Sequence, residues 1–313
     1  MSETGNPFEG FLKAGKSDWE KVAEKELHGK PVDSLNYLYH NNINMPPLLF
    51  PAQKGGGINP ILWRRILTWQ NGLIFRKEIS LSEKEIEKLI HLNINYFKCF
   101  NSQQNRNIFL ALRSQFPDCE WHIQQSDEIE ILGSNAKKGY HLNSSHQDAI
   151  DQITELMYKG IQLIQHNRDS GNLSWLNSGN LYFSREIHPN YLYEIALGRA
   201  QRILWRNVLQ VFNLSSVIPP YFISIFPVIK QKDQILIEAS TKILSAKLGG
   251  ADLICLGIED VQQEIPMENI AHIFNIMAME SGIGEVTDPV AGSYYLDELT
   301  SKIATHIWQQ LKS

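Results

Sequence analysis

Cysteine is scarce and its spacing suits no structural use. Cys99, Cys119 and Cys255 are spread over 313 residues with no CxxC pair, which excludes a disulfide framework or a thiolate zinc site and predicts reduced thiols. Long apolar runs are missing too. No stretch reaches eighteen apolar residues, so no membrane span is expected. There is no excess of positive charge: 29 Lys and Arg stand against 34 Asp and Glu, a net of −5, which gives nucleic acid no basic face to bind. The first nine residues are polar and no apolar segment of a secretory leader follows, so the cytoplasm is the expected location. Neither G-x-G-x-x-G nor a Walker A loop occurs, which removes two common phosphate cradles. What is present is ordinary for a globular chain, 43% hydrophobic and 20% charged, and long enough for one large core or two modest ones.

Residues 1–60 read as an arm. Ser17-Asp18-Trp19-Glu20 has the form of a capping box, with Ser17 as N-cap. Trp19, Val22, Ala23 and Leu27 give the helix one apolar side, and Gly29 with Pro31 ends it. Met45-Pro46-Pro47, Pro51 and Gly55-Gly56-Gly57 then form a linker that cannot be helix or central strand. Such an arm is either a frayed terminus or a clasp around a partner subunit, and its one-sided helix favours the clasp.

From residue 61 to 313 short apolar runs alternate with helical ones. Strands are predicted at 66–70, 96–100, 120–124, 128–132, 181–184, 221–226 and 252–256. Helices are predicted at 82–91 (capped by Ser82), 105–116, 145–165, 191–211, 231–247 and 268–281. This predicts an α/β fold with a parallel sheet, closed as a (β/α)8 TIM-type barrel and trimmed, because several βα units are short. A doubly wound sheet would share the alternation but lacks its glycine fingerprint.

Two stretches stand out chemically. Gly139-Tyr140-His141 lies between a predicted strand and a predicted helix, at what would be the catalytic end of a barrel. A histidine there can polarise a carbonyl or act as an acid, though a lone loop histidine is more often a surface residue. The second is Thr287-Asp288-Pro289-Val290-Ala291-Gly292-Ser293-Tyr294-Tyr295-Leu296-Asp297-Glu298-Leu299-Thr300. Asp-Pro initiates a turn, Gly292 permits a tight backbone, and Ser293 can cap a helix whose stripe is Leu296, Leu299, Ile303 and Ile307, closed by Trp308.

This C-terminal stretch resembles the Asp-Pro-x-Gly-Gly-Ser-Tyr-Tyr segment that closes the barrel domain of methylmalonyl-CoA mutases, with Ala291 in place of the first glycine. Gly139-Tyr140-His141 is similar to the family's Ser-Gly-Tyr-His-Met-Gln-Glu-Ala. Glu194-Ile195-Ala196-Leu197-Gly198-Arg199-Ala200 with Leu204-Trp205 resembles a family helix. Leu248-Gly249-Gly250-Ala251-Asp252 sits where the family has Gly-Gly-Thr-Gln, and 18–30 looks like its arm helix. The resemblance implies that Tyr140 and His141 are the catalytic pair flanking a substrate thioester carbonyl, and that an acyl-CoA is the ligand. Arg199 and Trp205 read as structural, an arginine lying over an aromatic ring.

The departures are as informative. The family's CoA-channel stretch is replaced by Trp63-Arg64-Arg65-Ile66-Leu67-Thr68-Trp69-Gln70-Asn71-Gly72. Its Leu-His-Thr-Asn becomes Ile254-Cys255-Leu256-Gly257, and Leu142-Asn143-Ser144-Ser145 follows His141 without the acidic residue. Phe222, Ile225 and Phe226 either fill the barrel mouth or pack in the core. The cobalt-ligating Asp-x-His-x-x-Gly loop does not occur in this sequence, so no cofactor-binding or metal-ligating residue is assigned to the chain. Adenosylcobalamin is expected on a larger cobalamin-binding mutase subunit that pairs with it as a heterodimer, with self-association as the other possibility. Three roles fit. The chain is a non-catalytic small-subunit-like accessory, or a half-enzyme using Tyr140 and His141 with cobalamin supplied in trans, or a stand-alone acyl-CoA binding module. The lost pocket residues favour the first.

Overall fold

The computed structural model describes residues 15–40, 43–49, 70–75, 79, 81–132, 137–144, 146–169, 180–214, 221–227, 235–258, 267–286 and 288–312. Its contacts divide the chain into two units, Met1–Gly57 and Ile58–Ser313. In the first, helix α1 (Lys16–Glu26) begins at Gly15 and not at Ser17. The Asp18 carboxylate accepts the Gly15 N–H at 3.0 Å, which moves the capping frame two residues towards the N-terminus. Past α1, β1 (Tyr37–His40) and β2 (Ile43–Met45) pair antiparallel, so Met45 ends a strand where a linker was expected. Pro51 and the three glycines at 55–57 lie outside the described residues, as do the expected strand residues 66–69.

The second unit is a closed barrel. In chain order its described elements are β3 (Gln70–Phe75), α2 (Glu83–His91), β4 (Ile94–Phe100), α3 (Gln103–Gln115), β5 (Glu120–Gln125), β6 (Glu128–Leu132), β7 (Lys137–Asn143), α4 (Ala149–Asp169), β8 (Leu181–Glu186), α5 (Tyr191–Val211), β9 (Tyr221–Pro227), α6 (Ile235–Leu248), β10 (Leu253–Ile258), α7 (Met267–Glu280) and α8 (Tyr294–Gln310). The strands run round in the order β10-β3-β4-β5-β6-β7-β8-β9 and close on themselves. This is the trimmed TIM-type α/β barrel that the alternation predicts, with one change: β6 is antiparallel to both β5 and β7. The cause is local. Only Ser126 and Asp127 separate β5 from β6, a connection that can join antiparallel strands but not parallel ones. Ser126 takes φ 57, which fits such a tight turn.

Alternation along each strand sorts side chains into two layers. Leu73, Phe75, Phe97, Trp121, Ile123, Phe226, Ile254 and Leu256 belong to an outer core shared with Ile86 and Leu89 of α2, Phe109 and Leu112 of α3, Ile243 of α6 and Phe274 of α7. Ser82 caps α2 as predicted, with the Glu85 carboxylate accepting the Ser82 N–H at 2.8 Å. Ser293 holds the N-cap position of α8 without a side-chain capping bond. The α8 stripe is buried as expected at Leu296, Leu299, Ile303 and Ile307, while Trp308 is half-buried. Among the described residues no helix is long and apolar enough to cross a membrane.

Candidate functional site

The barrel axis holds the chemically richest cluster among the described residues. β7, which the sequence reading left out, carries His141 and Asn143 inward. His141 is fully buried, and its ring centroid is 5.9 Å from that of Tyr182 on β8. Tyr140 is its neighbour on the strand, so it faces the other side, where it is half-buried. The two residues that the resemblance pairs therefore do not converge. The reading also put Gly139-Tyr140-His141 in a loop, whereas all three lie inside β7.

Around His141 the barrel supplies groups from four strands. Lys98 of β4 places Nζ 3.5 Å from His141 Nε2, 2.8 Å from Gln124 Oε1 on β5 and 3.4 Å from Asn143 Oδ1. Ser184 Oγ of β8 donates to Asn143 Oδ1 at 2.5 Å. The amide nitrogens are held elsewhere: Gln124 Nε2 donates to the Ser126 carbonyl at 2.6 Å and Asn143 Nδ2 to the His141 carbonyl at 3.3 Å. Each amide therefore turns its oxygen to the lysine. An aromatic girdle lies alongside. Tyr182 stacks on Tyr221 at 5.1 Å, and its ring meets His122 at 5.1 Å and Tyr96 at 6.3 Å. Cys255 belongs to the adjoining apolar cluster with Ile223, Ile225 and Leu253. Of the three residues that could have filled the mouth, Ile225 faces inward. Phe226 joins the outer core, and Phe222 stacks on Phe183.

Electrostatics in this cluster are set by burial. It holds the His141 imidazole well below its ordinary 6.5, and Lys98 and His122 push the same way. His122 Nε2 lies 3.3 Å from the Glu120 carboxylate, which would raise its pKa, but burial is the stronger effect and the net direction is down. Both imidazoles are thus kept neutral in the fold while the unfolded chain protonates near pH 6.5. Stability is accordingly full above that pH and falls as pH drops through it, by up to about 1.4 kcal/mol per pH unit for each histidine. Urea unfolding at pH 7.5 and 5.5 should show this loss, and the His141→Asn variant a shallower one. Equal stability at the two pH values would contradict the assignment.

Among the described residues, three buried polar atoms here have no hydrogen-bond partner: His141 Nδ1, His122 Nδ1 and Tyr96 Oη. Of these residues, sequence reasoning singled out His141 and missed Lys98, Gln124, Asn143, Ser184, His122 and Tyr96. The available signal was Tyr96-Phe97-Lys98-Cys99 and Trp121-His122-Ile123-Gln124, where polar side chains alternate with apolar ones in strands that a barrel covers on both faces.

The remaining sequence landmarks form a second, structural group. Arg199 of α5 is held by two carboxylates. Its Nη1 donates to both Asp288 oxygens, at 2.9 and 2.8 Å, and its Nη2 to Asp297 at 3.3 Å. Asp288 also caps its own turn by accepting the Val290 N–H, and Gly292 takes φ 85. Glu194 forms a two-pronged pair with Arg185 of β8, both distances 2.7 Å. Trp205 packs edge-on against Phe183 at 4.7 Å. Gly198 lies against the Gly249 backbone, and Asp252 accepts the Phe222 N–H at 2.9 Å and pairs with Arg202 at 2.8 Å.

Comparison with known proteins agrees with this layout. The family model for methylmalonyl-CoA mutase matches residues 119–313, more than half of the chain. The methylmalonyl-CoA mutases of Cereibacter sphaeroides and Rhizobium meliloti are each 25% identical, over 193 and 195 residues, covering 58% of this chain and 27% of each relative. The methylmalonyl-CoA mutase small subunit of Porphyromonas gingivalis is 28% identical over 161 residues, 48% of this chain and 26% of that protein. The matched part thus spans about a quarter of these relatives. On the family match, the closed barrel and the segments from Tyr140 to Thr300, the chain belongs to the methylmalonyl-CoA mutase family.

Proposed function

We propose that this chain is a non-catalytic, small-subunit-like component of a cobalamin-dependent acyl-CoA mutase, working in the cytoplasm as one half of a heterodimer. The partner is a larger subunit that carries adenosylcobalamin, which supplies the radical chemistry. The observation that carries this reading is the filled barrel axis. Where a mutase barrel has to admit an acyl chain, this one sets Tyr96, Lys98, His122, His141 and Tyr182, each at most 4% exposed. The arm adds support: no residue of α1 is buried, and Val22, Tyr37 and Leu38 are all more than half exposed, an apolar surface suited to a partner subunit. The small-subunit relative gives the reading a precedent.

A second reading has one observation in its favour. The unpartnered Nδ1 of His141 is the kind of buried group that a substrate carbonyl would satisfy, as a half-enzyme with cobalamin in trans would require. The His141→Ala variant separates the two readings. In a reconstituted pair, mutase activity should stay close to that of the wild type. A loss of about a hundredfold or more, the scale of a positioned acid–base group, would replace the accessory reading with the half-enzyme. The same pair should form from tagged chain and cytosol, with cobalamin in the co-purifying subunit.

A further inference from the structure

The acceptors round Lys98 Nζ are arranged as a receptor for an ammonium group. Gln124 Oε1, Asn143 Oδ1 and His141 Nε2 come from two strands, β5 and β7, and lie 2.8, 3.4 and 3.5 Å from the nitrogen. The two amides are not free to turn away. Gln124 is held through Nε2 by the Ser126 and His141 carbonyls, and Asn143 through Nδ2 by the His141 carbonyl and through Oδ1 by Ser184. A lysine ammonium has donors only, so His141 must accept at Nε2 and carry its proton on Nδ1. Gln124, His141, Ser184 and Lys98 are each at most 2% exposed, so the receptor is built inside the barrel.

We infer that the centre of this barrel is a recognition site for a primary ammonium ion, occupied in cis by the chain's own Lys98. The β4 backbone acts as tether, and the lysine stem fills the axis where a ligand chain would otherwise run. Shortening the side chain leaves the acceptors in place and the site open. The barrel then takes a small alkylammonium ion from solution, and selects it by N–H donation, not by charge alone. The inference concerns the isolated chain and is independent of its proposed subunit role.

The test uses the full-length chain and its Lys98→Ala and Lys98→Met variants, melted in methylammonium, ethylammonium or propylammonium chloride. Tetramethylammonium and sodium chloride at equal ionic strength serve as controls. The Lys98→Ala variant should melt about 5 °C or more below the wild type. Primary ammonium ions should raise its melting temperature in a saturable way by mass action, and should leave the wild type and Lys98→Met unmoved. Tetramethylammonium has no N–H and should do nothing. Equal effects from primary and quaternary ions, or no effect from either, would overturn the inference. If Lys98→Ala does not fold, the histidine tautomer decides. In the wild type, ¹⁵N-labelled His141 should be protonated on Nδ1, with Lys98→Met losing that fixed state. An Nε2–H imidazole in the wild type would rule the site out. Neither result bears on mutase activity of the pair, so failure here leaves the subunit reading standing, and the His141→Ala assay can fail independently.

Discussion

Replacing Arg199 with alanine should lower the unfolding free energy by about 3–5 kcal/mol. An exposed ion pair would contribute about 1 kcal/mol at most, so burial decides the magnitude. The Arg199 side chain is 1% exposed and that of Asp288 is 6%. Removing the guanidinium leaves a largely buried carboxylate without its charged partner. It also releases the turn before α8 from α5, two helices that pack directly on one another. The Asp288→Asn variant should lose less, because Asp297 still faces the arginine. Urea titrations read both variants. An Arg199→Ala midpoint within error of the wild type, at unchanged m-value, would show that the pair holds nothing together.

Gly198→Ala should destabilise the chain by about 2–3 kcal/mol, against the direction that helix propensity predicts. In an ordinary helix interior the change would gain up to about 1 kcal/mol. Here an added Cβ would stand 2.5 Å from the Gly249 carbonyl oxygen and 2.9 Å from its carbon. Those are backbone atoms of the turn after α6, and they cannot swing aside as a flexible side chain would. The two elements must separate, which pulls on Arg202, whose guanidinium bonds the Gly250 carbonyl beside that turn. A thermal melt of Gly198→Ala checks the sign. A variant as stable as the wild type would mean that the approach of α5 to the turn is loose.

Most helices and the outer layer of the barrel were legible in the sequence, because both rest on local patterns. Ser82 and Glu85 three residues apart, the α8 stripe and the apolar alternation of β4 and β5 each carry their own signal. The strand β7 carried none. Lys137-Lys138-Gly139-Tyr140-His141-Leu142-Asn143 has low strand propensity and polar inward positions, and it is a strand because β6 and β8 pair with it on either side. The direction of β6 was legible in its spacing, not in its periodicity: the expected strands 120–124 and 128–132 leave three residues between them, too few for a parallel crossover. The site was half legible. His141 could be found from its triplet, but its meeting with Lys98, 43 positions away, depends on the barrel being closed. Arg199 was recognised as structural, though its acidic partners lie nearly a hundred positions along the chain.

The barrel is sewn shut where β10 meets β3, and that seam has its own thermodynamic character. It sets Cys255 beside Gly72, roughly 180 residues apart, whereas Phe97 and Trp121 in the β4–β5 pair are about two dozen apart. Joining ends so distant costs about 2 kcal/mol more chain entropy than the shorter closure. The strands there fit with little slack. A methyl group on Gly72 would lie 2.7 Å from the Tyr96 ring and 2.9 Å from Cys255 Sγ. The most expensive closure in the fold is thus made at a residue with no side chain, where the two strands and the ring between them can come together without displacing one another.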